Sequence, residues 1–220
     1  ILQLKNFLVP NFSTNSIGDL EMIKLYDHNL SGNCFKVRLL LTQAQIEFES
    51  AVVDVFTGEN KLDKYLKINP AAKIPCIDDN GLLVWESNAI LLYLSEAYPK
   101  GYLPDDINSR ANIYKWLFFN KTSVDPYLAK ARAMLKFYPK GSENLDELNF
   151  LQNEGNKSLA IIDNYLKDRT FFDDKYSIAD IAFYPYIKLS YEGDILLDKY
   201  KNIINWINKV ESTKNFIEIY

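Results

Sequence analysis

The sequence predicts a mixed α/β half followed by an all-helical half, and three observations carry that reading. From Met22 the apolar pattern switches between strand-like and helix-like runs. Pro99, Lys100, Gly101 and Pro104 then interrupt the chain. Beyond them strand alternation disappears and helical spacing takes over. The expected division is an N-terminal extension over 1–21, an α/β domain over 22–99, a linker over 100–106 and a helical domain over 107–220.

Residues 23–26 read as a short strand. Cys34, Val37, Leu40, Leu41 and Ala44 then fall on one helical face of about three turns. A second strand is expected over 48–53. A short helix is expected over 61–67, where Leu62, Tyr65 and Leu66 share helical spacing. Residues 74–77 and 82–85 are two short apolar runs around Asp78-Asp79-Asn80-Gly81. Asn-Gly is a strong hairpin signal because both residues accept positive φ. Ser87, just ahead of a periodic run carrying Ile90, Leu91 and Leu94, reads as the N-cap of a closing helix. A β-α-β unit implies a parallel pair and a hairpin adds an antiparallel one, so the sheet is expected to be mixed. In the second half Tyr114, Leu117 and Phe118, then Leu148, Leu151, Leu159, Ile162 and Leu166, mark apolar helix faces. Ser177-Ile178-Ala179-Asp180 reads as a capping box, with Tyr176 and Ile181 placed for a hydrophobic staple. Pro185, eight residues past that cap, should kink its helix.

Composition narrows the function. The 220 residues carry 25 Lys and Arg against 29 Asp and Glu, a formal net charge of -4. There is no basic excess to neutralise a phosphate backbone, which argues against nucleic acid as partner. No apolar run approaches the roughly 20 residues that span a bilayer, so no membrane partner is expected. Cys34 and Cys76 are the only cysteines and lie far apart, excluding a CxxC redox pair and suggesting a reducing, cytoplasmic setting. His28 is the only histidine, which excludes a multi-histidine metal site and disfavours a serine-histidine triad. No metal is expected. Residues 1–21 are Asn- and Ser-rich, and Met22 is read as the natural start.

Three segments carry a resemblance. They are Ser31-Gly32-Asn33-Cys34-Phe35-Lys36-Val37-Arg38, Asn69-Pro70-Ala71-Ala72-Lys73-Ile74-Pro75 and Glu86-Ser87-Asn88-Ala89-Ile90. With the capping box at Ser177, they make the chain from Met22 onward resemble the glutathione transferases, which join a thioredoxin-like domain to a helical one. The resemblance implies glutathione as co-substrate, a small apolar electrophile as partner and a homodimer in which the α/β half of one subunit packs on the helical half of the other. It implies a cis Ile74-Pro75 bond that turns the Ile74 backbone outward to pair with the cysteinyl unit of glutathione. Glu86 is then expected to take the γ-glutamyl ammonium, and Ser87 with its helix N-terminus the α-carboxylate. Asn60 and Lys61 match the segment that reaches the glycyl carboxylate in some classes. Those classes often have histidine where this chain has Asn60. Lys73 offers a second cation nearby.

A thiol attacks as thiolate, and lowering its pKa by about 2 units takes only about 2.7 kcal/mol of preferential stabilisation. In serine-type classes a loop serine does this, and aligned on Lys36-Val37-Arg38 that residue is Ser31. Asn33 stands where cysteine-type bacterial members place their cysteine, Cys34 is one step further, and Tyr26 or Asp27 lies where other classes use tyrosine. Aromatics such as Tyr114, Trp116, Phe119 and Tyr127 are the candidates for an apolar cleft between the halves, with most of them expected in the core. The implied activity is conjugation of glutathione to electrophiles, a detoxification chemistry. The alternatives on the same fold are glutathione-dependent peroxidase, isomerase or disulfide reductase activity, or a non-enzymatic binding protein.

Overall fold

The computed structural model describes residues 22–219, so the expected extension over 1–21 lies outside the described residues. The first half runs β1 (Ile23–Asp27), α1 (Gly32–Ala44), β2 (Phe48–Val52), α2 (Asp63–Leu66), β3 (Cys76–Asp79), β4 (Leu82–Trp85) and α3 (Ser87–Ala97). The strands form one sheet in the order β2-β1-β3-β4. β1 and β2 are parallel, while β3 is antiparallel to both β1 and β4. The mixed sheet follows from its connections: a helical crossover joins β1 to β2, and Asn80-Gly81 turns β3 directly into β4. Both turn residues have positive φ, 53° and 89°, as a tight two-residue hairpin requires.

Three local expectations need correction. The helix expected over 61–67 is split into a 3₁₀ turn at Glu59–Lys61 and the short α2, because Leu62 between them is extended (φ -74°, ψ 147°). The third strand begins at Cys76, not at residue 74: the first paired position is Cys76 with Trp85, and Pro75 has no N–H to give a ladder. Ser87 is the first helical residue of α3, and Glu86 is its N-cap with φ 70° and no side-chain capping bond. β4 passes into α3 through this single residue, which leaves the Ser87 hydroxyl available for other contacts.

The second half contains α4 (Ile107–Phe119), α5 (Asp125–Lys136), α6 (Leu145–Tyr165), α7 (Ile178–Lys188) and α8 (Lys201–Glu211). Asp106 caps α4 and Asn144 caps α6, each accepting bonds from the first-turn N–H groups. Between α4 and α5 the backbone passes through a π-helical turn at Asn120–Val124. The α4 face differs from expectation: Leu117 is buried, but Phe118 is 73% exposed. α7 runs through Pro185 to Lys188.

The two halves share one hydrophobic core. α1 packs on α3 and α7, with the Phe35 ring 5.9 Å from that of Tyr184. Gly32 opens α1 against α7; a Cβ there would sit 2.9 Å from the Tyr186 ring. At the centre of the helical half, Phe172 stacks on Phe183 at 4.2 Å, with Trp116 and Trp206 edge-on. The capping box is present at Ser177. Its acidic member, Asp180, is fully buried and also accepts bonds from Trp206 Nε1 at 2.9 Å and Phe172 N at 3.1 Å. It therefore ties the α7 start to α8 and to the preceding loop.

Burial raises the Asp180 carboxyl from its ordinary 3.8 to about 6, against four hydrogen bonds that favour its charge. The folded protein thus holds this proton at pH values where the unfolded chain has lost it. The stability contributed by the residue is greatest below pH 4 and is lost as the pH climbs to 6. In urea unfolding, the advantage of wild type over Asp180→Asn should shrink by on the order of 2 kcal/mol between pH 4 and pH 7. A gap that widens with pH would show that the hydrogen bonds outweigh burial.

Candidate functional site

The loop from β1 to α1 is set by short-range bonds. Ser31 N donates to His28 O at 3.0 Å, and Ser31 Oγ accepts from Cys34 N at 3.2 Å as the N-cap of α1. That capping bond leaves the Ser31 proton free to donate. Asp27 is buried and bonded to Arg38 at 2.5 Å and to Ser50 at 3.1 Å, so its carboxylate holds the loop base. Tyr26 projects elsewhere, into a cleft with Lys24 and Tyr65. Cys34 is fully buried, and burial pushes its thiol up to about 12, which makes it a poor nucleophile.

Ile74-Pro75 is a cis peptide, as the resemblance implied. The loop ahead of it is pinned by three side chains. Tyr65 Oη and Asn69 Nδ2 both donate to Lys73 O at 2.7 Å, and Asn60 Nδ2 donates to Ala72 O at 2.6 Å. Asn60 thus shapes the loop from behind, and its Oδ1 is buried without a partner.

These segments meet in one cleft lined by Asn33, Asn69, Lys73, Ile74, Pro75, Glu86, Ser87 and Lys121. Of the residues expected from sequence, Lys73, Ile74, Pro75, Glu86, Ser87 and Asn33 are brought together here. Ser31, Asn60 and Lys61 do not line the cleft. Ser87 Oγ donates to Asn33 Oδ1 at 3.0 Å, linking the α1 and α3 starts. Glu86 forms an ion pair of 2.8 Å with Lys121.

Sequence reasoning missed what lies behind this cleft. Lys36, used only as an alignment anchor, is 0% exposed, paired with Asp125 at 2.6 Å and bonded to Asn120 Oδ1 at 3.1 Å. Asn120 Nδ2 donates to Asp125 Oδ1, and Asn88 Nδ2 donates to Asn120 Oδ1 at 3.2 Å. Burial pushes the Lys36 ammonium below its ordinary value and Asp125 pulls it back up. A lysine on an otherwise apolar helix face was the available signal. Glu86 and Lys121 also border an apolar groove of about 440 Å³ between α3 and α4, lined by Leu92, Tyr114, Leu117 and Phe118.

The four candidate aromatics do not form a wall at the Ser31 loop. Trp116 is core, packed against Phe119, Tyr165 and Phe172. Tyr114 faces the α3–α4 groove, and Tyr127 packs on Phe150. Instead an aromatic chain crosses between the halves beside the loop: His28 to Phe56 at 5.3 Å and Phe56 to Phe137 at 5.2 Å, with Arg132 over the Phe137 ring. Phe56 and Phe137 come from segments with no helical or strand period linking them, so no pattern in the sequence could have paired them.

Comparison with known proteins places the chain in a family. Residues 21–96 match the family model for the glutathione S-transferase N-terminal domain, and residues 124–214 match that for the C-terminal domain. A solved glutathione S-transferase from Pseudomonas fluorescens Pf-5 is 32% identical, with a TM-score of 0.87, covering 90% of this chain and 99% of that one. The chain belongs to the glutathione S-transferase family, with its thioredoxin-like domain followed by a helical domain. A glutathione transferase from Pseudomonas putida, solved with glutathione disulfide bound, is 25% identical at a TM-score of 0.82, covering 89% of each chain. The transcriptional regulator URE2 of Saccharomyces cerevisiae is 32% identical over 120 residues, 51% of this chain and 34% of that protein. Among the described residues no helix is long and apolar enough to cross a membrane.

Both cysteines are buried, and each thiol is pushed up to about 12. The native protein should therefore resist maleimide at pH 7.5, with both thiols labelling once it is denatured. Stoichiometric labelling of one cysteine in the native state would reopen Cys34 as a candidate nucleophile.

Proposed function

We propose that this protein binds glutathione in the cleft and transfers its thiolate to small apolar electrophiles. The observation that carries the reading is the convergence of cis Ile74-Pro75, Glu86, Ser87 and Asn33 in a single cleft at the α3 N-terminus. In this reading Ile74 presents backbone groups to the cysteinyl unit, Glu86 meets the γ-glutamyl ammonium, and the Ser87 backbone N–H at the uncapped first turn of α3 meets the α-carboxylate. Lys73 is the nearest cation for the glycyl end. Asn60 acts through loop shape, and Lys61 is a solvated surface lysine.

For the thiolate, the cleft lining favours Asn33 over Ser31. The hydroxyl of Ser87 occupies the Asn33 carbonyl oxygen, which leaves the Asn33 amide N–H groups as donors for a sulfur. A hydrogen bond to a charged acceptor contributes about 1.5–3 kcal/mol, enough to lower a thiol pKa by one to two units. The electrophile would approach along His28, Phe56 and Phe137.

Calorimetric titration of reduced glutathione should give saturable binding that weakens about tenfold or more in Ser87→Ala. In Asn33→Ala the pH profile of conjugation to a chloronitrobenzene should move upward by one to two units, while Ser31→Ala shifts it less. No binding at millimolar glutathione would remove the reading; binding without conjugation of any electrophile would leave a glutathione-binding protein. If Ser31→Ala shifts the profile and Asn33→Ala does not, the serine holds the thiolate.

The same family reading proposes a homodimer. The apolar α3–α4 groove, and Leu82, Leu83, Trp85 and Phe118 exposed on β4 and α4, support it. Light scattering should give twice the chain mass; a monomer at micromolar concentration would remove this proposal.

A further inference from the structure

Lys121 occupies an unusual place. It is the second residue of the π-helical turn at Asn120–Val124, and its ammonium sits 2.8 Å from the Glu86 carboxylate. A π turn inserts one residue into the helical repeat, so the helix before it and the helix after it are rotated against each other by about 100°. Such turns need outside support, and this one has it. Asn120 is fully buried and bonded to Lys36, Asp125, Asn88 and the Ala182 carbonyl. Thr122 Oγ1 donates to Phe118 O at 2.9 Å, and Ser158 Oγ to Ser123 O. The turn is thereby fixed with Lys121 on the rim of the cleft, beside Glu86 and Ser87.

Resting on the glutathione reading above, the geometry points to Lys121 as a specificity-determining residue for the amino-acid end of the ligand. Its ammonium holds the place on Glu86 that the ligand's own ammonium would take. When the ligand enters, the two cations exchange: the γ-glutamyl ammonium pairs with Glu86, and Lys121 turns to the α-carboxylate beside it. Glu86 and Lys121 are about 40% exposed, 37% and 43% at their side chains. Ion pairs in that setting contribute little to stability, so the exchange costs little. The outcome is a cleft whose two charges match the two charges of a zwitterionic head group, with Lys121 reading the carboxylate.

The test compares glutathione with γ-aminobutyryl-cysteinyl-glycine, which keeps the ammonium and lacks only the α-carboxylate. Each is titrated calorimetrically into wild type, Lys121→Met and Lys121→Arg. Wild type should prefer glutathione, Lys121→Met should narrow that preference by about tenfold, and Lys121→Arg should restore most of it. Equal melting temperatures would show that the side chain, not the turn, was changed. If Lys121→Met keeps the full preference, or binds glutathione more tightly with the preference intact, Lys121 is only a counterion competing for Glu86 and the inference fails alone. If wild type binds neither peptide at millimolar concentration, the glutathione reading fails and takes this inference with it.

Discussion

The arrangement depends on one buried charge. Lys36 leaves α1, crosses into the helical half and meets Asp125 at the first turn of α5, with no exposure to solvent. An ammonium in that position is tolerable only with a carboxylate against it and its remaining protons bonded. Asp125 and Asn120 supply those partners, and the Tyr186 ring lies 5.6 Å away. Removing one member of such a pair leaves an uncompensated charge and costs about 3–5 kcal/mol. The pair therefore joins the α/β half to the helical half at a point where neither partner can be lost without that cost.

From that anchor the site is built by contact. Asn120, held by Lys36 and Asp125, also accepts from Asn88 in the first turn of α3. The α3 start is thereby tied to the π turn, and the same α3 start reaches back to α1 through Ser87 and Asn33. Three helix termini from different parts of the chain are held around one cleft, with the cis Ile74-Pro75 loop as its fourth side. The α3 N-terminus and the Asn33 side chain are positioned in this way before a ligand arrives. Asn60, Asn88 and Asn120, none of which lines the cleft, hold the loop and helix ends that do.

The capping at Ser177 and Asp180 does comparable work for the helical half. One buried carboxylate closes the α7 N-terminus, bonds the indole of α8 and holds the backbone of Phe172. α7 is a helix on which α1 lies, so the position of the β1–α1 loop rests on it through Gly32 and Tyr186. Burial of Asp180 is unfavourable for its charge, and four donors offset only part of that.

The sequence by itself determined the fold class and the element order. Those rest on local signals: apolar period, an Asn-Gly turn, a capping box and proline at a loop end, each readable within a few residues. Ile74, Pro75, Glu86 and Ser87 could be singled out because they lie in contiguous motifs that resemble those of the glutathione transferases. The hydroxyl of Ser87 was misread as a cap because its register against Glu86 depends on how β4 enters α3, which is a matter of one backbone angle. Lys36 with Asp125, Phe56 with Phe137, and Lys121 with Glu86 were decided only by the tertiary structure. Each joins residues 35 or more positions apart, and no periodicity in one dimension encodes which charged or aromatic side chains converge once helices pack. What a segment becomes is a local matter of backbone and solvent, while which side chains face one another depends on the whole chain.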